Sequence, residues 1–120
     1  DGDPMDVCVL TEKTIGHGDL LVQAIPIGGL RMIDANEADD KIIAVMRDDA
    51  LYGELTELTQ CPPSVVERLR HYFLTYKHVP GSPEHKVEIT DVYGRDEAYE
   101  AIRRSQADYV AAFMGAGMLR

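Results

Sequence analysis

Leu30-Arg31-Met32-Ile33-Asp34-Ala35-Asn36-Glu37-Ala38-Asp39-Asp40-Lys41-Ile42-Ile43-Ala44-Val45 is the stretch on which the fold of this chain turns. Residues 30–33 can pair as a strand and 42–45 form an apolar strand, and between them lies an acidic loop, 34–40, closed by Lys41. Two strands flanking a polar loop form a hairpin. Lys41 follows Asp39 by two residues, so the period of a strand puts both on one face, which suits a cation-bound anion such as phosphate. A charged hairpin tip is ordinarily just solvated, and this loop by itself carries no function.

Upstream, residues 20–27 read as the preceding strand. Pro26 marks an edge or a bulge there, and Gly28-Gly29 permit a sharp bend before pairing resumes at Leu30. Residues 11–19, with Gly16 and Gly18, read as a connecting turn after a short strand, Asp6-Val7-Cys8-Val9-Leu10. Ahead of that strand stands Asp1-Gly2-Asp3-Pro4-Met5-Asp6, three carboxylates in six positions. Carboxylates held so close repel one another unless protonated or neutralised, and hard divalent ions such as Mg²⁺ or Ca²⁺ are bound by such oxygen clusters. Gly2 and Pro4 shape the backbone that aims them.

Other readings compete. Acidic terminal residues are often only a solvated end. Asp1, Asp3 and Glu12 fall at positions one, three and twelve of an EF-hand loop, but that loop wants a polar residue where Met5 sits and Gly where Asp6 sits. A D-x-D phosphotransferase loop normally follows a buried strand, whereas here the apolar run comes after the carboxylates. Asp34 and Asp39, at the two ends of the hairpin loop, strengthen the metal reading, because two acidic loops that meet in the fold can share ions.

Downstream, residues 47–60 are polar and wrap the surface, with a helical turn near Leu51 or Leu55. Cys61-Pro62-Pro63-Ser64 then opens a helix over 63–77, with Pro in its first turn, Ser64 as a candidate cap, and an apolar stripe of Val65, Val66, Leu69, Tyr72, Phe73 and Tyr76 that packs on the sheet. Residues 78–84 read as a loop, 86–89 as a short strand and 95–113 as a terminal helix ended by Gly115 and Gly117. No internal repeat or low-complexity segment is visible. Short strands with two appended helices predict a small, mostly antiparallel barrel.

With 120 residues the chain is a single domain's worth. Twelve Lys and Arg against twenty-one Asp and Glu leave a formal charge of -9, which repels nucleic acid and anionic membrane surfaces. Cys8 and Cys61 lie far apart, without the spacing of zinc sites or redox motifs, and read as reduced and partly buried. His17, His71, His78 and His85 show no ligand spacing. No run approaches the ~20 apolar residues that span a bilayer, no signal peptide is recognisable, and a cytoplasmic setting is expected.

Three motifs carry a family resemblance. Asp1-Gly2-Asp3-Pro4-Met5-Asp6-Val7 resembles the signature of the soluble family I inorganic pyrophosphatases, and Leu30 to Asp34 with Glu37 to Val45 resembles their second acidic segment nearly residue for residue. Arg70-His71-Tyr72-Phe73 and Tyr76-Lys77 stand where that family has a helix ending in Tyr-Lys, behind the same Pro-Pro pair. Together the motifs cover residues 1–77 in order. Beyond them the family's strand commonly continues into Glu-Gly-Trp, whereas this chain has Glu88-Ile89-Thr90 and no Trp. Ala35-Asn36 also replaces a commoner Glu-Gly.

The resemblance implies a mostly β fold with flanking helices (α+β), an antiparallel barrel like the oligonucleotide/oligosaccharide-binding (OB) fold. It implies hydrolysis of pyrophosphate to two phosphates with several Mg²⁺ ions. By motif, Asp1, Asp3, Asp6, Asp34 and Asp39 match metal-binding carboxylates, Asp3 the general base toward the attacking water, and Lys41, Tyr76 and Lys77 the phosphate contacts. Tyr76 reads equally as a core residue on the helix stripe, and Lys77 as a helix-end cation. The family's further active-site residues come from strands upstream of the first acidic segment, at which this chain begins. The expectation is therefore one pyrophosphatase domain over 1–120 lacking its N-terminal strands, with an exposed sheet edge and little activity of its own. The full-length protein is expected to be a homo-oligomer, hexameric if bacterial, with pyrophosphate and phosphate as ligands and neither nucleic acid nor membrane as partner. The competing expectation is a non-catalytic metal-binding or assembly module that keeps the acidic loops without the complete site.

Overall fold

A computed structural model describes residues 5–12, 23–75 and 87–118, with side chains in the last helix as far as 107. Strands β1 (Asp6–Leu10), β2 (Ile25–Asp34) and β3 (Glu37–Val45) are followed by a short 3-10 helix (Leu58–Gln60), helix α1 (Pro63–Thr75), strand β4 (Val87–Gly94) and helix α2 (Arg95–Met118). The strands form one sheet in the order β1-β3-β2-β4. β2 runs antiparallel to both β3 and β4, and β1 lies parallel to β3.

The hairpin is tighter than its composition predicts. Asp34 pairs with Glu37, so the chain reverses in two residues, Ala35 and Asn36, whose φ angles are 53° and 67°. Two successive left-handed residues are what a type I′ turn requires, and its twist matches that of the flanking strands. Asn tolerates this region and Ala does so only with strain. Because the turn needs only two residues, the polar residues from Glu37 to Lys41 belong to β3 and not to a loop. The expected irregularity at Pro26 is present as a shift of register between Pro26 and Gly28, after which β2 continues unbroken. β2 begins at Ile25; Gln23 and Ala24 precede it outside any strand, and residues 20–22 lie outside those described.

Each face of the sheet has its own core. On one, Leu30, Met32, Ile43 and Val45 pack with Leu58 and with Leu69 and Phe73 of α1. The α1 stripe is narrower than predicted, since Tyr72 is 54% exposed while Leu69 and Phe73 are buried. On the other face Ile42 and Tyr93 pack against Ala98 and Ala101 of α2. An apolar groove of about 550 Å³ continues this second face, lined by Met5, Val7, Val9, Ile42, Ala44 and Ile102. Gly115 and Gly117 do not end α2, which runs to Met118; a mid-helix Gly weakens a helix by only about 1 kcal/mol relative to Ala.

The described strands make an open, mostly antiparallel sheet with β1 and β4 as its edges, in keeping with the expected OB-like α+β fold with an exposed sheet edge. The described residues supply four strands beside the five of an OB barrel, and Val7 on the β1 edge is 51% exposed. The far end of β1 is held by Asp49, a buried carboxylate that accepts hydrogen bonds from Thr11 Oγ1 (2.7 Å), Glu12 N (3.0 Å), Leu51 N (3.1 Å) and Tyr52 N (2.9 Å). The Thr11 hydroxyl, helped by the three amides and opposed by burial, brings the Asp49 carboxyl down to about 2.

Candidate functional site

Register brings the predicted charged residues together. Asp6 of β1 lies beside Lys41 of β3, and Lys41 lies opposite Leu30 of β2. Asp39 opposes Met32 and Asp34 opposes Glu37. With a strand period of two, Asp6, Asp34, Asp39 and Lys41 all belong to the face covered by α1. Lys41 is 1% exposed, and its ammonium donates to Asp39 Oδ2 at 2.9 Å and to Asp6 Oδ2. The two carboxylates, 35 and two residues from Lys41 in sequence, thus converge on one buried cation. Asp34 sits one row nearer the turn on the same face.

A cleft of about 310 Å³ opens beside this pair, lined by Asp6, Val7, Cys8, Lys41, Tyr72 and Phe73. Helix α1 supplies its aromatic wall, the Tyr72 and Phe73 rings meeting edge to face with centroids 5.2 Å apart. Cys8 is a free thiol whose ionisation is pushed up by burial, as is that of Cys61. Asp1, Asp3, Tyr76 and Lys77, the other predicted site residues, lie outside the described residues. Among the described residues no group of three or more His, Cys, Asp or Glu is placed to hold a metal ion.

A second charged cluster, on the opposite face, was not anticipated from the sequence. Arg31 Nε donates to Asp40 Oδ1 at 3.2 Å, and its other nitrogens lie 3.7 Å from Asp91 and 3.5 Å from Glu97. The guanidinium stands 5.2 Å from the centroid of the Tyr93 ring, whose hydroxyl donates to Asp40 Oδ1 at 3.1 Å. Burial, reinforced by the Asp40 carboxylate, pushes the Tyr93 phenol up beyond its ordinary range. The ring lies over Gly29, where a Cβ would fall 2.6 Å from Tyr93 Cε1. The signal for this cluster was present in the hairpin: once the turn is placed at Ala35-Asn36, Arg31 and Asp40 become direct cross-strand partners.

With this geometry in place, comparison with known proteins decides the family. The sequence profile of inorganic pyrophosphatase matches residues 1–110. The chain belongs to the inorganic pyrophosphatase family. It is 51% identical over 118 residues to the inorganic pyrophosphatase of Chlamydia trachomatis serovar L2, an alignment covering 95% of this chain and 56% of that relative. It is 39% identical over 106 residues to soluble inorganic pyrophosphatase 2 of Chlamydomonas reinhardtii, covering 88% and 53%. Its fold is similar to the crystal structure of the Thermus thermophilus inorganic pyrophosphatase, with a TM-score of 0.78 at 29% identity, covering 89% of this chain and 61% of the other. This pyrophosphatase-family chain therefore spans about half the length of the curated relatives it matches. No helix among the described residues is long and apolar enough to cross a membrane.

Proposed function

We propose that the protein hydrolyses inorganic pyrophosphate to two phosphates, using Mg²⁺ held by its acidic residues. The observation that carries this reading is the convergence of Asp6 and Asp39 on the buried Lys41 ammonium, in a chain that belongs to the pyrophosphatase family. The donor set fits the ion: hard carboxylate oxygens already gather around a positive charge, as Mg²⁺ requires. Asp6 and Asp39, with Asp34 on the same face and with Asp1 and Asp3 of the first motif, are the residues that would hold it. Mg²⁺, when bound, supplies positive charge to offset the substrate anion and makes a water a better nucleophile.

The chain's own residues do the rest. Asp3 takes the proton of the attacking water, and Lys41, Tyr76 and Lys77 hold the phosphate oxygens and stabilise the charge that leaves with the product. The free thiols of Cys8 and Cys61 support a reducing, cytoplasmic setting. The test is phosphate release from Mg²⁺-pyrophosphate by the protein expressed from its complete reading frame, with and without Asp3→Asn. Turnover by the unmutated protein and a loss of at least a hundredfold in the mutant are expected. Inertness of the unmutated protein toward pyrophosphate across Mg²⁺ concentrations would refute the reading.

A further inference from the structure

We infer that Lys41 is an internal stand-in for the metal, a counter-ion that leaves Asp6 and Asp39 when a divalent cation takes their oxygens and is thereby handed to the substrate anion. This rests on the proposed pyrophosphatase site and adds to it a coupling between metal loading and substrate binding.

Lys41 is almost wholly enclosed, at 1% exposure, yet its ammonium donates to two carboxylates delivered by different strands. A buried ammonium must be paired, and the two described carboxylate partners here are both candidate metal ligands. Among the described residues one carboxylate of excess charge remains at the cluster, so it attracts a divalent ion even while Lys41 is in place. A divalent ion and Lys41 cannot both be the close partner of the same two oxygens without like-charge repulsion. The ammonium has somewhere to go, because Lys41 also lines the 310 Å³ cleft bounded by Tyr72 and Phe73, which is large enough for a small anion. A lysine stem with four rotatable bonds can swing its head group by several ångströms from a fixed strand position. The strand itself need not move: Asp40, between Asp39 and Lys41, is held on the other face by Arg31 and Tyr93.

By linkage, an ion that frees Lys41 raises affinity for the anion, and the anion raises affinity for the ion by the same factor. Lys41 therefore competes with the metal when substrate is absent and cooperates with it when substrate is present.

The experiment is Mg²⁺ titration calorimetry on the complete protein, unmutated and as Lys41→Met, with no substrate present and folding checked by circular dichroism. Removing the competing cation is expected to tighten Mg²⁺ binding on the order of tenfold. The same mutant should bind the non-hydrolysable analogue methylenediphosphonate more weakly. Unchanged or weaker Mg²⁺ binding by folded Lys41→Met overturns the inference while leaving the pyrophosphatase reading intact; absence of Mg²⁺ binding by the unmutated protein overturns both. A second measurement needs no mutant. The ¹⁵N-labelled ammonium resonance of Lys41 in the unmutated protein should shift on Mg²⁺ addition as its carboxylate partners are withdrawn, and a resonance indifferent to saturating Mg²⁺ would overturn the inference.

Discussion

Lys41 and Arg31 lie on the two faces of the same hairpin, and each gathers several acids, but they do so in opposite ways. Lys41 is enclosed and answers two carboxylates with a compact ammonium, one of them brought by the separate strand β1. Arg31 is 28% exposed and spreads a planar guanidinium over Asp40, Asp91, Glu97 and the Tyr93 ring. A guanidinium forks between partners and stacks, which suits a static brace; an ammonium is a rotatable point charge, which suits exchange of partners. Adjacent residues of β3, Asp39 and Asp40, are thereby committed to different tasks by nothing more than the alternation of the strand.

That contrast can be broken by mutation. Lys41→Ala leaves two carboxylates facing one another without their cation, and a loss of about 3 kcal/mol in urea-induced unfolding is expected. This is the low end for breaking a buried pair, because Asp6 keeps contact with water. Arg31→Ala is expected to lose only about 1 kcal/mol, since its acids remain hydrated, and raising salt should erode the Arg31 contribution more than that of Lys41. Equal losses in the two mutants, with equal salt dependence, would mean that burial does not distinguish the clusters.

Ala35→Gly sharpens the comparison from the turn that sets both faces. It relieves a left-handed residue carrying a Cβ and should stabilise the hairpin by up to about 1 kcal/mol, read as a higher midpoint of thermal unfolding. A lower midpoint would show that the turn is not strained at Ala35.

The smallest effect is confined to β1. The Asp49 carboxyl is lower folded than unfolded, so its contribution is complete above its ordinary value near 3.8 and is lost as pH falls from there through about 2. In that window amide exchange should quicken first at Thr11, Glu12 and β1, which carries Asp6, while the Arg31 side of the hairpin persists. Asp49→Asn should flatten this dependence; an unaltered profile would assign the acid sensitivity to other carboxylates.

Much of this was legible beforehand because it is local. The strands at Asp6–Leu10 and 42–45, the irregularity at Pro26 and the helix opening at Pro63 follow from side-chain period, proline geometry and β-branching. The pairing of Asp39 with Lys41 followed from the period of two. The boundaries of the hairpin did not, because a run of Asp, Glu and Asn reads as loop unless two of its residues alone can make the turn. The brace around Arg31 was missed because it depends on register: a shift of one residue would have put Asp40 on the other face. Asp49 was missed because its partners are mostly backbone amides, which carry no mark in the sequence.

What the amino-acid order determined by itself is the chemistry available, namely the carboxylates of the two acidic segments, the lysine that follows the second, and the motifs that place the chain among the inorganic pyrophosphatases. Only the tertiary structure decided which of those charges meet. Asp6 reaches Lys41 because β1 lies parallel to β3 in a particular register, on the face of the sheet whose apolar residues pack with α1. Long-range pairing of this kind is settled by the packing of two apolar faces and the closure of the chain between them. No local window of sequence contains either.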